Sequence, residues 1–220
     1  MKRVLAISDE VSDVLRPERL REIDPHLVVS CGDLPFDYLE YIVTITNVPL
    51  AYVLGNHDPA PAPERAPLDV AGGPFIRPPD TAAFGPGGCT LVDGLIVDLR
   101  GVRIAGLGGS MRYSGGPHQY TEKEMRRRSR RLSRRARRLK FSDRKGVDVL
   151  VTHAPPRGVG DQSDPAHRGF ESFHDLTSML APQVMLHGHI HPYGHARPDH
   201  RLNGVSVLNA VGYRIVELER

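Results

Sequence analysis

Side chains that can ligate metal ions follow several short apolar runs of this sequence. Carboxylate and amide oxygens and imidazole nitrogens are donors that Mn²⁺, Fe and Zn²⁺ accept in proteins. Divalent ions held by such donors polarise bound oxygens and activate water, so the pattern is typical of a hydrolytic metal centre. The residues of this kind, in chain order, are Asp9, Asp33, Asn56, His57, Asp58, His153, His189 and His191.

Each of these side chains needs a strand to position it. Short apolar runs bounded by turn residues predict buried strands, and the helical period of apolar residues at 36–46 predicts a helix, as does Pro17 at the start of 17–23. Strand, helix, strand order is typical of a parallel α/β sheet, where ligands bind at the carboxyl ends of strands. The predicted strands cover residues 2–8, 26–31, 49–54, 147–152, 183–191, 205–210 and 213–218.

The middle of the chain has a different pattern. Residues 59–88 are rich in Pro and Gly and predict a long surface loop. Residues 91–109 predict antiparallel strands with a hairpin at Asp93-Gly94. Helices are predicted at 121–140, opened by a capping-box pattern, and at 172–180. The absence of a repeat or a second composition zone predicts one domain over residues 1–220.

Each candidate ligand also has a structural interpretation when it is taken alone. His153 could cap a strand, Asp33 could cap the helix that begins at Phe36, and Asn56 could serve a turn. These explanations would have to hold independently at every strand end. The shared position after strands therefore favours the metal centre.

The order of the motifs resembles that of the calcineurin-like metallophosphoesterase superfamily. The matching elements are Asp9, Gly32-Asp33, Gly55-Asn56-His57-Asp58, a lone His153 and Gly188-His189-Ile190-His191. The sequence around these motifs, including S-D-E at residues 8–10, is similar to the sequences of a bacterial and archaeal subgroup of that superfamily. The resemblance implies an α/β fold, a four-layer α/β/β/α sandwich of two mixed β-sheets flanked by helices.

The resemblance also implies roles for individual residues. Asp33, Asn56, His153 and His189 would hold one divalent ion, and Asp9, Asp33 and His191 would hold a second, with Asp33 shared. His57 would contact the phosphate and stabilise charge or protonate the leaving group, and Asp58 would orient His57. Mn²⁺ suits this mixed shell best, with Fe, Zn²⁺ or Mg²⁺ as alternatives.

One motif position departs from the superfamily pattern. The histidine expected two residues after Asp9 is replaced by Val11, which cannot ligate an ion. Glu10 or Asp13 could supply a substitute oxygen, water could complete a weaker site, or the centre could hold one ion only. Glu10 could equally be a solvated loop carboxylate.

Two loops carry candidates for substrate binding. The glycine-rich segment 106–120 contains Arg112 and His118, whose guanidinium and imidazole could meet a phosphate. The segment 158–170 follows His153 and contributes Asp161, His167 and Arg168. An ordinary hairpin loop is the alternative interpretation of the first segment.

The net charge of +3 hides a strong asymmetry. Residues 122–140 hold nine Arg and two Lys against two Glu, which leaves the rest of the chain at −6. The segment 126–140 could contact a polyanion through counterion release. It could also be a solvated face, because Met125, Leu132 and Ala136 lie on one helical side and no aromatic residues interleave.

Composition limits the compartment and the partners. No run approaches the ~18 apolar residues of a membrane span, and the first apolar run is too short for a secretory signal. Two distant cysteines, Cys31 and Cys89, favour a reduced, cytoplasmic protein. The oligomeric state is left open.

The function expected from this evidence is metal-dependent hydrolysis of a phosphomonoester or a phosphodiester, with a phosphorylated small molecule or a phosphodiester as substrate. Two alternatives stay open. One is a nuclease or cyclic-nucleotide phosphodiesterase, which requires the arginine-rich helix to face the metals. The other is a non-catalytic metal- or phosphate-binding module whose first metal site has decayed; His57 and Asp58 count against it.

Overall fold

The computed structural model describes residues 1–60, 85–139, 146–194 and 198–219. Residues 61–84 of the predicted loop and Lys140 of the predicted helix lie outside these ranges. The strands are β1 (Lys2–Ser8), β2 (Leu27–Ser30), β3 (Leu50–Tyr52), β4 (Cys89–Leu91), β5 (Ile96–Leu99), β6 (Val102–Leu107), β7 (Ser110–Met111), β8 (Gln119–Tyr120), β9 (Val149–Thr152), β10 (Val184–His187), β11 (His200–Leu202), β12 (Val205–Asn209) and β13 (Gly212–Leu218). The helices are α1 (Pro17–Ile23), α2 (Phe36–Thr46), α3 (Glu122–Arg138) and α4 (Ser172–Leu180).

The strands form two large mixed sheets. The first has the order β13-β1-β2-β3-β4, in which only β13 runs antiparallel to its neighbour. The second has the order β11-β12-β10-β9-β6-β5, with a parallel centre and antiparallel edges. Strands β7 and β8 form a small separate pair. The parallel strands bring their carboxyl ends to one edge, where the candidate ligands follow.

Apolar clusters fill the spaces between four layers. One cluster lies between the two sheets and includes Val29 of β2 and Ile104 of β6. A second packs α1 and α2, through residues such as Ile42, on the outer face of the first sheet. A third packs α3 and α4, through Leu132 and Leu176, on the second sheet. The predicted α/β/β/α sandwich of two mixed sheets flanked by helices is confirmed.

The predicted hairpin at Asp93-Gly94 is wrong. The two-residue turn lies at Arg100-Gly101, between the paired residues Leu99 and Val102. Both turn residues have positive φ, at 51° and 73°, which is the conformation a type I′ hairpin requires. Asp93-Gly94 instead joins β4 of the first sheet to β5 of the second.

Helix α3 begins with the predicted capping box. The Thr121 hydroxyl accepts from the Glu124 N–H, and the Glu124 carboxylate accepts from the Thr121 N–H. Buried Met125 and Leu132 hold one face of the helix against the second sheet. Across the described parts of the chain, no helix combines the length and apolar character needed to cross a membrane.

Candidate metal centre

Three predicted ligands meet at the carboxyl edge of the two sheets. Ligand atoms of Asp33, His153 and His189 all lie within 4.8 Å of one another. The Nε2 atom of His153 is 3.2 Å from Oδ2 of Asp33 and 3.0 Å from Oδ1 of Asn56. Oxygen and nitrogen donors from four segments far apart in the chain therefore converge, in the combination that a first-row divalent ion prefers.

The tautomer of His153 is fixed by its other ring nitrogen. Nδ1 lies 2.8 Å from the carbonyl oxygen of Cys31, which can only accept. Nδ1 therefore carries a proton, and deprotonation of the ring frees Nε2 toward Asp33 and Asn56. Metal-ligating histidines are commonly oriented in this way by a backbone carbonyl.

The backbone at the site is tightly turned. Asp9, Asp33 and His189 have φ values of 59°, 56° and 67°, in the left-handed region that non-glycine residues seldom adopt. A Cβ atom on Gly55 would lie 2.1 Å from Oδ1 of Asp33, and one on Gly188 would lie 2.3 Å from Oδ2 of Asp9. Such strain is typical of functional sites, and these glycines allow the ligand-bearing loops to approach each other closely.

A second group lies beside the first. The Asp9 Oδ2 atom accepts the backbone N–H of His189 at 2.9 Å. The Nε2 atom of His191 lies 3.8 Å from Asp9 Oδ1, while its Nδ1 lies 2.9 Å from Oε1 of Glu10. Val11 is 53% exposed. The structure thus places the candidate substitute ligand Glu10 on the far side of the His191 ring from Asp9.

Charges in the first group are strongly coupled. Burial raises the pKa of the Asp33 carboxyl, but the adjacent His153 imidazole outweighs burial and brings it to about 2. Burial lowers the pKa of His153, but the charge and hydrogen bond of Asp33 outweigh it and raise the value to about 9. Burial and the nearby His153 lower the pKa of His189 to about 3. In the metal-free protein a proton on His153 therefore neutralises Asp33.

His57 and Asp58 occupy different environments. His57 is exposed, and its backbone N–H donates to Oδ1 of Asp33 at 2.8 Å. Asp58 is buried, and its Oδ2 accepts the N–H groups of Asp33 and Gly55 at 2.9 and 2.7 Å. Within the described ranges, no hydrogen bond joins the Asp58 carboxylate to the His57 ring. Asp58 therefore holds the two ligand-bearing loops together. This differs from the role that the resemblance implied, which was to orient His57.

The two candidates on the glycine-rich loop have partners within the protein. Arg112 pairs with the Glu124 carboxylate at 2.9 Å, and the Nε2 atom of His118 lies 3.1 Å from the carbonyl oxygen of Pro59. The structure does not bring Arg112 or His118 into the ligand cluster. Tyr113, from the same loop, does reach it, since its hydroxyl lies 3.3 Å from Nδ2 of Asn56.

The loop after β9 reaches the cluster through one side chain. The ring centroid of His167 lies 5.3 Å from that of His189, and its Nδ1 is held by Asp164 at 3.0 Å. Asp161 accepts from the N–H groups of Gly158 and Gly169 and so stabilises its own loop. Arg168 lies 3.5 Å from the carbonyl oxygen of Ser163.

Two contacts of the site were missed in the sequence. The carbonyl oxygen of Ala166 lies 2.8 Å from Nε2 of His189, and the Tyr113 hydroxyl meets Asn56. A backbone carbonyl leaves no residue-type signal. Tyr113 lies in the glycine-rich segment, but no motif or spacing in the sequence connects it with Asn56.

Most of the arginines on α3 point away from the fold. Arg128 is partly buried, and it pairs with Asp93 at 2.5 Å and lies 4.0 Å from the centroid of the Tyr120 ring. Two exposed arginines also contact the fold: Arg135 donates to the carbonyl oxygen of Gly94, and Arg137 lies beside Met179. The exposed ones are Arg126, Arg127, Arg130, Arg131, Arg134, Arg135, Arg137 and Arg138. The start of α3 contacts the residues that begin α4, through Glu122, and its last turn lies beside Met179 near the end of α4.

Comparison with known proteins agrees with this geometry. The calcineurin-like phosphoesterase family matches residues 5–193, and the chain belongs to this family. One solved structure is 18% identical with a TM-score of 0.65, over 100% of this chain and 98% of its own. Another, of TT1561 from Thermus thermophilus, is 16% identical with a TM-score of 0.58, over 99% and 97% of the two chains. Both likenesses concern the fold. No curated protein matches the chain.

Proposed function

We propose that this protein is a metal-dependent phosphoester hydrolase acting on a phosphomonoester or a phosphodiester. The observation that carries the proposal is the convergence of Asp33, Asn56, His153 and His189, whose donors face one another across the ends of buried strands. Membership of the calcineurin-like phosphoesterase family supports the reaction class.

The proposed centre holds two divalent ions, with Mn²⁺ the preferred metal. Asp33, Asn56, His153 and His189 would hold one ion, and Asp9, His191 and the shared Asp33 would hold the other. Such ions clamp a phosphate ester and lower the pKa of bound water. Asp58 holds the loops of Asp33 and Gly55 next to each other. The Cys31 carbonyl keeps the His153 ring oriented for ligation.

His57 is the proposed catalytic acid. Its backbone N–H holds Asp33, so its position is fixed to the metal ligand. The exposed side chain lines a cleft of about 420 Å³ that also includes Asp33, Leu34, Phe36 and Asp58. From there an imidazole can stabilise charge on a phosphate or protonate a leaving alkoxide.

The course of helix α3 counts against the nuclease alternative. Helix α4 connects the carboxyl end of β9 to the start of β10, so it runs from the metal edge to the opposite edge of the sheet. Helix α3 begins beside the start of α4 and ends beside its last turn. The exposed arginines in the second half of α3 therefore lie away from the metal edge, and any polyanion they contact would bind apart from the ligands.

The test is hydrolysis of p-nitrophenyl phosphate and of its bis ester by the full chain with added Mn²⁺. Wild type should hydrolyse at least one ester, Asp33→Asn should lose the activity, and the exposed Asp175→Asn should keep it. Metal analysis of the purified protein accompanies the assay, with two equivalents supporting the two-ion centre. Inactivity over a panel of divalent metals would overturn the proposal and favour a binding module.

The proposal places the enzyme in the cytoplasm. Cys31 is buried, Cys89 is partly buried, and both are free thiols. Unpaired thiols are compatible with a reducing compartment. Oxidising conditions should leave metal binding unchanged if neither thiol belongs to the site.

A further inference from the structure

A second cleft borders the candidate metal centre on the His191 side. It has a volume of about 490 Å³ and lies between the loop after β9 and the carboxyl ends of β10 and β12. His191 lines this cleft and also faces Asp9, so the cleft adjoins the proposed second ion position. Clefts of roughly 300–1,000 Å³ hold small organic ligands.

One wall contains the buried side chain of His187, which has a hydrogen-bond acceptor without a donor among the described residues. His187 is 1% exposed, and its Nδ1 lies 2.9 Å from the carbonyl oxygen of Gly188, so Nδ1 carries the proton. Its Nε2 is buried and has no hydrogen-bond partner in the described portion of the chain. A buried polar atom of this kind costs free energy until a partner reaches it.

The space beside this atom is kept open by a glycine. A Cβ atom on Gly160 would lie 3.5 Å from Nε2 of His187 and 3.2 Å from Cδ2 of His200. All three residues line the cleft. Gly160, His187 and His200 therefore meet at the wall of the cleft, beside the unpartnered nitrogen.

Asp161 is the one carboxylate among the described residues of the remaining wall. Asp161 is committed to Gly158, Gly169 and Arg157 of its own loop. The described residues that line the cleft include no lysine or arginine, so none of them gives a phosphate a permanent positive charge there. Tyr193 presents an aromatic ring that is 77% exposed, with its centroid 5.7 Å from that of His191. An aromatic ring is a good surface for another ring.

From these features we infer that the cleft binds the organic group of the phosphoester, and that this group is a ring bearing a hydroxyl or amino donor. The phosphate lies at the ligand cluster, the ring lies against Tyr193, and the donor reaches Nε2 of His187. This subsite rests on the proposed hydrolase function. A site that hydrogen-bonds a substrate donor discriminates strongly against the analogue that lacks it.

The test compares ortho, meta and para hydroxymethylphenyl phosphates with the matching tolyl phosphates, using the Mn²⁺-loaded full chain. At least one hydroxymethyl isomer should show kcat/KM about tenfold above its tolyl partner, since one satisfied hydrogen bond separates them. His187→Phe should lower kcat/KM for that hydroxymethyl isomer to the value of its tolyl partner. Equal rates for every pair in wild type, or a preference that survives in His187→Phe, would overturn the inference.

A second variant protects the test against misfolding at the buried position. Tyr193→Ala removes an exposed ring, and it should raise KM for all the aryl phosphates several-fold at unchanged kcat. Leu139→Ala, an exposed apolar truncation just after α3, is the matched control and should change neither value. Unchanged KM in Tyr193→Ala counts against the subsite.

Binding is also read without catalysis, so that failure of the subsite is distinguishable from failure of the hydrolase proposal. In metal-free protein labelled with ¹⁵N-histidine, benzyl alcohol should shift the Nε2 resonance of His187 and toluene should not. Loss of all aryl phosphate hydrolysis with this shift intact refutes the hydrolase function alone. Hydrolysis without the shift or the isomer preference refutes the subsite alone.

Discussion

The Glu10 carboxylate lies 2.9 Å from Nδ1 of His191, and Nε2 of the same ring faces Asp9 at 3.8 Å. Glu10 therefore contacts the candidate metal centre indirectly, by way of the His191 ring. Carboxylates that bind the outer nitrogen of a ligating imidazole fix its tautomer and raise its basicity. The geometry favours this role for Glu10 over direct ligation in place of the missing histidine.

Removing the Glu10 carboxylate should weaken binding of the proposed second ion without unfolding the protein. Glu10→Ala should lower affinity for that ion by about 10- to 100-fold, the usual effect of losing such a partner, because His191 loses its orientation. Glu10→Gln, which can still accept from Nδ1–H through its amide oxygen, should lose less. Calorimetric titration of Mn²⁺ into the metal-free protein measures both.

The exposed Glu18→Ala on α1 is the matched control for this titration and should bind both ions as wild type does. Direct ligation by Glu10 predicts another pattern. Glu10→Gln would then be as damaging as Glu10→Ala, since an amide cannot replace an anionic ligand. That result would reinstate Glu10 as the substitute ligand.

Restoring the histidine that the family pattern expects should strengthen binding of the same proposed ion. Val11 is 53% exposed, so Val11→His removes little packing and adds an imidazole two residues after Asp9. The variant should retain more metal equivalents after dialysis than wild type, and Val14→His, at a similarly exposed position, should not. Equal retention by Val11→His and wild type would mean that the loop directs position 11 away from the ions.

Metal binding should depend on pH through His153. Its pKa in the metal-free protein is about 9 because Asp33 holds the ring protonated against the cost of burial, and an ion must displace that proton. Mn²⁺ affinity should therefore rise by up to about tenfold per pH unit between roughly 6.5 and 9, then level off. The Mn²⁺ titration repeated at several pH values measures this slope, and a flat profile would contradict the assignment.

The same pKa sets the sign of a stability effect. A histidine whose folded pKa lies above its unfolded value stabilises the fold fully below about pH 6.5, and the contribution is lost as pH rises through about 9. Chemical denaturation of the metal-free protein should show this alkaline loss. His153→Ala should remove this pH dependence, although the variant is less stable overall.

Local patterns predicted the bounds of the helices well. Helices α1, α2 and α4 begin and end at the predicted residues, because a helical period is contained within the segment that forms it. Strand ends were predicted a residue or more too far out, as at 26–31 and 49–54. There Cys31 and Val53 still donate to the neighbouring strand, at Ile7 and Ser30, before the chain turns toward Asp33 and Asn56.

Contacts between distant segments could not be predicted in the same way. Asp93-Gly94 has a hairpin composition, yet the Asp93 carboxylate accepts the N–H of Gly108 and binds Arg128, partners that only the packed fold brings near. Glu10 lies next to Asp9 in the chain, but the positive φ of Asp9 turns the backbone between them. The spacing of residues in the sequence does not predict that turn.

Gly55 should be essential to metal binding. A Cβ atom there would lie 2.1 Å from Oδ1 of Asp33 and 2.6 Å from Cε1 of His153, so Gly55→Ala must displace two proposed ligands. Gly87→Ala is the control, because its Cβ would meet Glu40 at an ordinary 3.4 Å. We expect Gly55→Ala to keep a native circular dichroism spectrum and lose Mn²⁺ binding, while Gly87→Ala keeps both. Retained binding in Gly55→Ala would show that the ligands can move apart and still coordinate.

Arg128 should contribute more to stability than the exposed Arg130 of the same helix. Arg128 binds the partly buried Asp93 at 2.5 Å, donates to the carbonyl oxygen of Gly108 and packs on Tyr120, so Arg128→Ala leaves an acid and a carbonyl short of partners. The loss should be about 1–3 kcal/mol of unfolding free energy, reduced from the fully buried case by partial exposure. Arg130→Ala, on the exposed face two residues later, should change it by no more than about 0.5 kcal/mol. Urea denaturation of both variants decides the matter, and equal losses would mean that the exposed arginines also contribute to the fold.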